Sequence, residues 1–508
     1  MFSNEQWLAN SGGDFYNGVA TTSFRMKPSV VLTNEWDSPT SAKIMSFGGW
    51  VKKDKVGYYS NLFSGGMGGA GVAQAFLYFE ADTLRLMSFN GSAYIFSYIT
   101  NRLFRDSSSW YHLWVEIDST EGNNATADRV KLYVNGVRET SFSTADHIPN
   151  GSPNIGAFNE DGIIAYFGHT SGNNGGNVYY SDWYFIDGLA VSPIDTVGEF
   201  KNGAFIPKEY TPSEFGNNGF HLKFDQVGVG TPSATTIGAD SSLKNRHFAS
   251  TVGTVASDCA LPDSPENNFA TLNPLYYLTA STHLSEGNLQ LTHETTAHRA
   301  HTGTMFMQTG KWYFEVHNKT DTASGTVAIG VGLQDMSKNL TYASGADNYI
   351  FYSNNNTGKT FVNQTQVSWS TNGTHAPDAG DIVQVAYDAD SGKIFFGIDN
   401  TYYATDAGAD GNPATGDNPS ATLSTAIDYL PFVGTFNNEA TANFGQDSSF
   451  AGNKTSGSAN AQDGNGIGDF YYAPPSGFLA LCTANLPEPT IGANSDTQAD
   501  DHFNTVLY

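Results

Sequence analysis

The sequence predicts an all-β protein built from two tandem antiparallel β-sandwiches. Composition is the first observation: of 508 residues, 54 are glycine, 13% are aromatic and only 15% are charged. Residues of turns and pleated surfaces have displaced the helix formers Glu, Lys and Arg. The second is spacing, because apolar and aromatic runs are short and are separated by Gly, Asn and Asp clusters. The third is a single lapse of strand signals near residue 225, after which they resume.

In the first half, SAKIMSFGGWVKK, AFLYFEA, TLRLMSFNG, WYHLWVEID, RVKLYVNGV, IAYFGH and VYYSDWYFIDGLAV read as strands or strand pairs. Val130, Leu132 and Val134 alternate with Lys131 and Tyr133, which gives one core face and one wetter face. Asn135-Gly136 then supplies a tight hairpin turn. In the second half, GNLQLTHET, GKWYFEVHN, TVAIGVGLQ, NYIFYSN, YLPFVGTF and ATANFG continue the pattern, and IVQVAYDADSGKIFFGI spells a complete hairpin. The expected organisation is a jelly-roll domain over 1–226, a Ser/Thr/Gly-rich connection over 227–275, a second sandwich over 276–484 and a C-terminal extension or arm over 485–508. Heptads, collagen triplets and solenoid repeats are absent from the sequence.

The formal charge of −26 repels phosphate backbones, so nucleic acid and anionic membranes are not expected as partners. No apolar run approaches a membrane span, and the N-terminal MFSNEQWLANSGGD lacks the basic and apolar regions of a signal peptide. Cys259 and Cys482 are the only cysteines, too few for a disulfide framework, and are expected as buried thiols.

The order of the runs GGWVKK (Gly48–Lys53), WYHLWVEID (Trp110–Asp118), VKLYVNGV (Val130–Val137) and DWYFIDGLAVSP (Asp182–Pro193) resembles a laminin-G or concanavalin-A-like jelly roll. GKWYFEV (Gly310–Val316), AIGVGL (Ala328–Leu333) and GDIVQVAYDADSGKIFFGIDN (Gly380–Asn400) resemble a SPRY-type sandwich. Together with GAFIPKEYTPSEFGNNGFHLKF (Gly203–Phe224), DSPENNFATLNP (Asp263–Pro274) and PPSGFLALCTANLPEPTI (Pro474–Ile491), the pair resembles a family of phage virion proteins of marine and cyanobacterial type. The resemblance implies a tail, fibre or head-surface component, made in the host bacterial cytoplasm and released by lysis. It also implies other virion proteins, a host-surface glycan and further copies of the chain as partners.

Four constellations invite chemistry. Glu116, Asp118 and Glu121 spell E-I-D-x-x-E, which resembles the catalytic run of laminarinase-type glycoside hydrolases. Glu116 and Asp118 share a strand face, but Glu121 joins them only through a bulge, and the chain runs at once into Gly122-Asn123-Asn124. His293 and His298 in HETTAH are spaced i, i+5 and do not form the i, i+4 pair of a zinc helix. Acidic loops at Asn159-Glu160-Asp161 and at Asp406, Asp410 and Asp417 offer the oxygen ligands Ca²⁺ uses, although solvated acidic turns are the plainer reading and no other cofactor is expected. Aromatics beside Asn suit sugar rings: Tyr58, Tyr59, Tyr179, Tyr180 and Tyr352 with Asn354.

The function expected from these readings is non-enzymatic: a virion structural protein displaying lectin-like modules for attachment to host glycans. Its competitors are a decoration or neck protein that binds only virion subunits, and a jelly-roll hydrolase acting through Glu116 and Glu121.

Overall fold

The computed structural model describes residues 15–27, 30–66, 71–122, 128–151, 153–168, 178–194, 196–252, 257–276, 284–292, 299–320, 325–333, 349–354, 357–362, 365–367, 377–404, 411–455 and 461–487, with backbone alone for the strands between 349 and 367. The described residues form strands, turns and short 3₁₀ segments, without α-helix. Two compact units emerge, the first running to Asn268 and the second covering Phe269–Pro487.

In the first unit the strands are β1 (Ser23–Met26), β2 (Val31–Glu35), β3 (Ile44–Lys53), β4 (Ser60–Gly65), β5 (Ala73–Glu80), β6 (Thr83–Asn90), β7 (Tyr94–Leu103), β8 (Trp110–Asp118) and β9 (Val130–Val134). They continue as β10 (Val137–Arg138), β11 (Phe142–Asp146), β12 (Ile164–Gly168), β13 (Val178–Asp187), β14 (Gly198–Lys201), β15 (Ala204–Pro207), β16 (Phe220–Leu222), β17 (Ala249–Val252) and β18 (Ala260–Leu261). One sheet has the order β10-β9-β8-β3-β13-β1-β18, with β16 also on β13. The other has the order β11-β7-β6-β5-β4-β12-β2-β17. Strand alternation sends Leu113, Val115 and Ile117 of β8 and Ala75, Leu77 and Phe79 of β5 into one shared core. Phe63 is central there, with ring centroids 5.4 Å from Phe47, 5.2 Å from Phe167 and 5.9 Å from Phe185.

The β9–β10 hairpin turns as expected. Asn135 (φ 48°) and Gly136 (φ 73°) are both left-handed, the conformation a two-residue turn needs. A side chain at Gly136 would also collide with Phe205, its Cβ falling 2.4 Å from the ring.

The stretch expected as a connection, 227–275, behaves differently. Its first part belongs to the jelly roll: Ala249 pairs with Thr33 of β2, and Ala260 with Phe24 of β1. Phe248 packs 4.8 Å from Phe220 inside the core. A few apolar anchors, Ile237, Phe248, Cys259 and Leu261, hold this polar segment, too sparsely to register as strands in a sequence. The expected arm at 485–508 lies outside the described residues beyond Pro487.

The described residues of the second unit also form two sheets, antiparallel apart from the parallel pairing of Leu479 with Trp312 and Ala480 with Tyr313. One is organised around Lys311–Asn318, which pairs with Ile382–Asp388 on one side and Ala440–Asn443 on the other. The other is organised around Thr326–Gly332 and Leu430–Phe436. The predicted hairpin is present, with Val383 opposite Ile398 and Asp388 opposite Lys393. Cys259 is buried in the first unit and Cys482 in the second.

Candidate ligand-binding face

The outward faces of the two jelly-roll sheets differ sharply. On the first sheet the outward residues are Trp50, Trp110, His112, Trp114, Tyr133 and Tyr184, all buried. The segment following β13 and the β14–β15 hairpin roof them. Phe205 lies 6.1 Å from Trp50 and 5.0 Å from His112, and Trp114 Nε1 donates to the Val191 carbonyl at 2.8 Å. Enclosure without a compensating charge pushes the His112 imidazole down to about 3.

This is the face that carries the E-I-D-x-x-E run. Glu116 Oε1 accepts from Lys131 Nζ at 2.6 Å, and its Oε2 accepts from Tyr133 Oη at 3.1 Å. Burial, and then the Glu116 carboxylate, raise the Tyr133 hydroxyl to about 12. Asp118 Oδ1 accepts from the Thr120 amide and hydroxyl, so it caps the turn after β8. Glu121 sits exposed in that turn, and its backbone oxygen receives Arg129 Nε at 3.0 Å. The three carboxylates therefore hold an ion pair, a turn cap and a loop position.

The second sheet's outward face is half-buried along its strands and exposed at its ends. On β5, Phe76, Tyr78 and Glu80 alternate with the core residues; on β6, Arg85, Met87 and Phe89 do the same. Tyr59, just before β4, is 46% exposed, and Tyr94, at the start of β7, is 53% exposed. The ring of Tyr59 lies 6.2 Å from Tyr78 at an interplanar angle of 19°. The Arg85 guanidinium lies 5.9 Å from Tyr78 and 5.7 Å from Tyr94. Glu80 receives Arg85 Nη1 and Tyr59 Oη, each at 3.2 Å, and fixes both ends of this contact. Burial raises Tyr78 to about 12, and the Glu80 carboxylate raises Tyr59. The phenols of Tyr59 and Tyr78 are thus neutral donors and acceptors around neutral pH.

At the β6–β7 end, on the core-facing side of the same sheet, lies a cleft of about 370 Å³, lined among others by Asn90, Tyr94, Pro149, Pro153, Asn154 and Glu160. Its floor is held by Ser88 Oγ donating to the Ile155 carbonyl at 2.6 Å, and Asn90 Oδ1 caps the β6–β7 turn at Ser92 and Ala93. Asn159 at its rim is a structural residue. It donates to Asp187 Oδ1 at 2.7 Å and accepts from Asn218 Nδ2 at 2.7 Å, inside a buried polar network.

Of the aromatics singled out in the sequence, Tyr59 lies on this outward face. Tyr58 is half-buried beneath Lys55, whose Nζ is 5.4 Å from its ring. Tyr179 and Tyr180 correct the expectation, because both fill core positions. Tyr179 packs with Trp50, Trp110, Phe205 and Leu261, and Tyr180 Oη donates to the Asn61 carbonyl at 3.0 Å. Strand β13 lies inside a two-faced layer, so both faces of its aromatic run are covered. Tyr352 and Asn354 lie on the strand Tyr349–Asn354, with their side chains outside the described residues. His293 and His298 also lie outside the described residues, as do Asp406 and Asp410. Asp417 is exposed and accepts from Thr415 Oγ1 at 2.7 Å. Among the described residues no three His, Cys, Asp or Glu side chains gather as a metal site.

Phe76, Tyr78, Arg85, Phe89 and Tyr94 are the residues that sequence reading passed over. The available signal was AQAFLYFE, a strand with aromatics at both parities; such a strand either lies between two layers or shows one aromatic face to solvent.

In the second unit the notable ionisable group is Glu315, fully buried on the central strand. It accepts from Tyr313 Oη at 2.9 Å and from the Tyr471 and Tyr472 amides at 2.9 and 2.8 Å. Burial outweighs these donors and pushes its carboxyl up to about 7. The group ties the returning segment around Tyr471 to the sheet.

Fold and face together define a two-module β-sandwich protein whose first module is lectin-like. Residues 27–167 match the family model described as the concanavalin A-like lectin/glucanases superfamily, and residues 311–447 match the SPRY domain. The chain thus carries a concanavalin A-like domain and a SPRY domain in tandem. No curated protein matches it. Among solved structures it is similar to the SPRY domain of human HERC1, at 12% identity over 30% of this chain and 87% of that one, with a TM-score of 0.23. It is also similar to a putative carbohydrate-binding protein from Bacteroides ovatus, at 12% identity over 46% of this chain and 60% of that one, with a TM-score of 0.28. Domains LG4-5 of the mouse laminin α1 chain align at 9% identity over 82% of each chain, with a TM-score of 0.28. No ligand or partner passes from these structures to this chain.

Proposed function

We propose that the first module is a non-enzymatic glycan-binding module, and that the chain is a structural component of a phage particle that presents it to the host surface. The observation that carries the binding reading is the outward aromatic face of Tyr59, Tyr78, Arg85 and Tyr94. Aromatic rings cover the apolar faces of sugars, and adjacent Arg, Glu and Asn groups hydrogen-bond their hydroxyls. The reading as a tail, fibre or head-surface component is supported by the ordered stretches from Asp182 to Ile491 that resemble phage virion proteins. Several copies per particle would convert weak single-site binding into firm adsorption.

A glycan array probed with the full chain, together with adsorption of the labelled protein to candidate host cells, tests the reading. Binding that is lost in Tyr94→Ala supports it. Absence of binding to any glycan or cell, or binding untouched by Tyr94→Ala and Tyr59→Ala, overturns the assigned face.

A further inference from the structure

The outward face is elongated, and its charges cancel. Glu80, beside Tyr59, and Gln74, opposite Phe89, bound the outward positions of β5. At ~3.4 Å per residue the path between them is roughly 20 Å long. It is paved without a break: Tyr59 to Tyr78 at 6.2 Å, Tyr78 to Arg85 at 5.9 Å, Arg85 to Tyr94 at 5.7 Å, and Tyr94 to Phe89 at 5.6 Å. One sugar ring covers about one tyrosine, so a single sugar would leave most of the path bare.

The electrostatics narrow the ligand further. Arg85 is the cation of the path, and its guanidinium is already engaged by Glu80 at 3.2 Å. The whole chain carries −26. An anionic saccharide would meet a neutralised arginine and a repulsive field.

We infer that this face binds a linear, uncharged oligosaccharide of about three or more units, laid along β5 and β6 between Tyr59 and Phe89. The inference rests on the glycan-binding reading above and adds the ligand's length, direction and charge.

The test is calorimetric titration of the full chain with two ladders of one to six units. One is neutral (laminari-, cello- and malto-oligosaccharides) and the other acidic (oligogalacturonides). Affinity for a neutral ladder should rise at least about tenfold from one unit to three or four, and then level off. Tyr59→Ala and Tyr94→Ala should each weaken the longest neutral ligand by about five- to tenfold, with circular dichroism unchanged because both side chains are exposed. A monosaccharide that binds as well as the hexamer, or an acidic ladder that binds more tightly than the neutral ones, overturns the inference and leaves glycan binding intact. Failure of every saccharide on the ladders and on the array overturns both.

Discussion

Lys131 Nζ lies 2.6 Å from Glu116 Oε1 across the β8–β9 pair, where the two residues are direct cross-strand neighbours. The contact turns the first carboxylate of a hydrolase-like run into one half of an ion pair beneath a roofed sheet face. Incubation with laminarin should release no reducing ends from wild type or from Glu116→Gln. The substitution should cost about 1 kcal/mol in chemical denaturation, since a partly exposed pair is worth little. Reducing ends from wild type that vanish in Glu116→Gln would instead establish a hydrolase.

His112 beneath Phe205 predicts an acid limb in stability. Its folded-state value is depressed to about 3 against 6.5, so the unfolded chain binds more protons between those values. Stability of the first unit should therefore fall as pH drops from 6.5 towards 3. In His112→Phe the slope over that window should be shallower, whatever the change at neutral pH. Urea midpoints at pH 4, 5, 6 and 7 measure it; an unchanged slope would place the acid sensitivity elsewhere.

Glu315 predicts the opposite sign in the second unit. Its carboxyl is raised from 4.5 to about 7, so the folded state holds the extra proton and stability is lost as pH rises through that interval. His317, lowered from 6.5 to about 4, opposes this over most of the same interval. Glu315→Gln should leave the His317 term unopposed, so that stability rises with pH between 5 and 6.5 where the two terms offset each other in the wild type. It should also cost ~1–3 kcal/mol, because one of the Tyr471 and Tyr472 amides then faces an amide nitrogen. Melting of the wild type and the variant across that range decides it.

Two tyrosines from the same sequence-level expectation should separate cleanly. Tyr180→Phe removes a buried hydroxyl that donates to the Asn61 and Leu62 carbonyls, and should cost ~1–2 kcal/mol without changing glycan binding. Tyr94→Ala should change stability by less than about 0.5 kcal/mol while weakening glycan binding. Thermal melts and titration of both variants read the two effects independently.

Much of the fold was legible. Alternation in RVKLYVNGV fixed the faces of β9, and Asn135-Gly136 fixed its turn, because both signals are local. The hairpin Ile382–Ile398 was legible for the same reason. The jelly roll's last strands were not, since β17 and β18 are short and paired with strands more than two hundred residues earlier. The candidate face was half legible. Tyr59 stood out beside its neighbours, but Tyr78, Arg85 and Tyr94 read as ordinary strand residues.

The sequence by itself determined an acidic, all-β chain with two sandwich modules, because composition and two-residue periodicity act within each strand. Only the tertiary structure decided which aromatic face meets solvent. The β14–β15 hairpin lies over Trp50 and His112 and closes one sheet, while Tyr59 and Tyr94 on the other remain exposed. Strand alternation puts side chains on two faces, but which face is then buried depends on segments distant in the chain, and no local pattern encodes that.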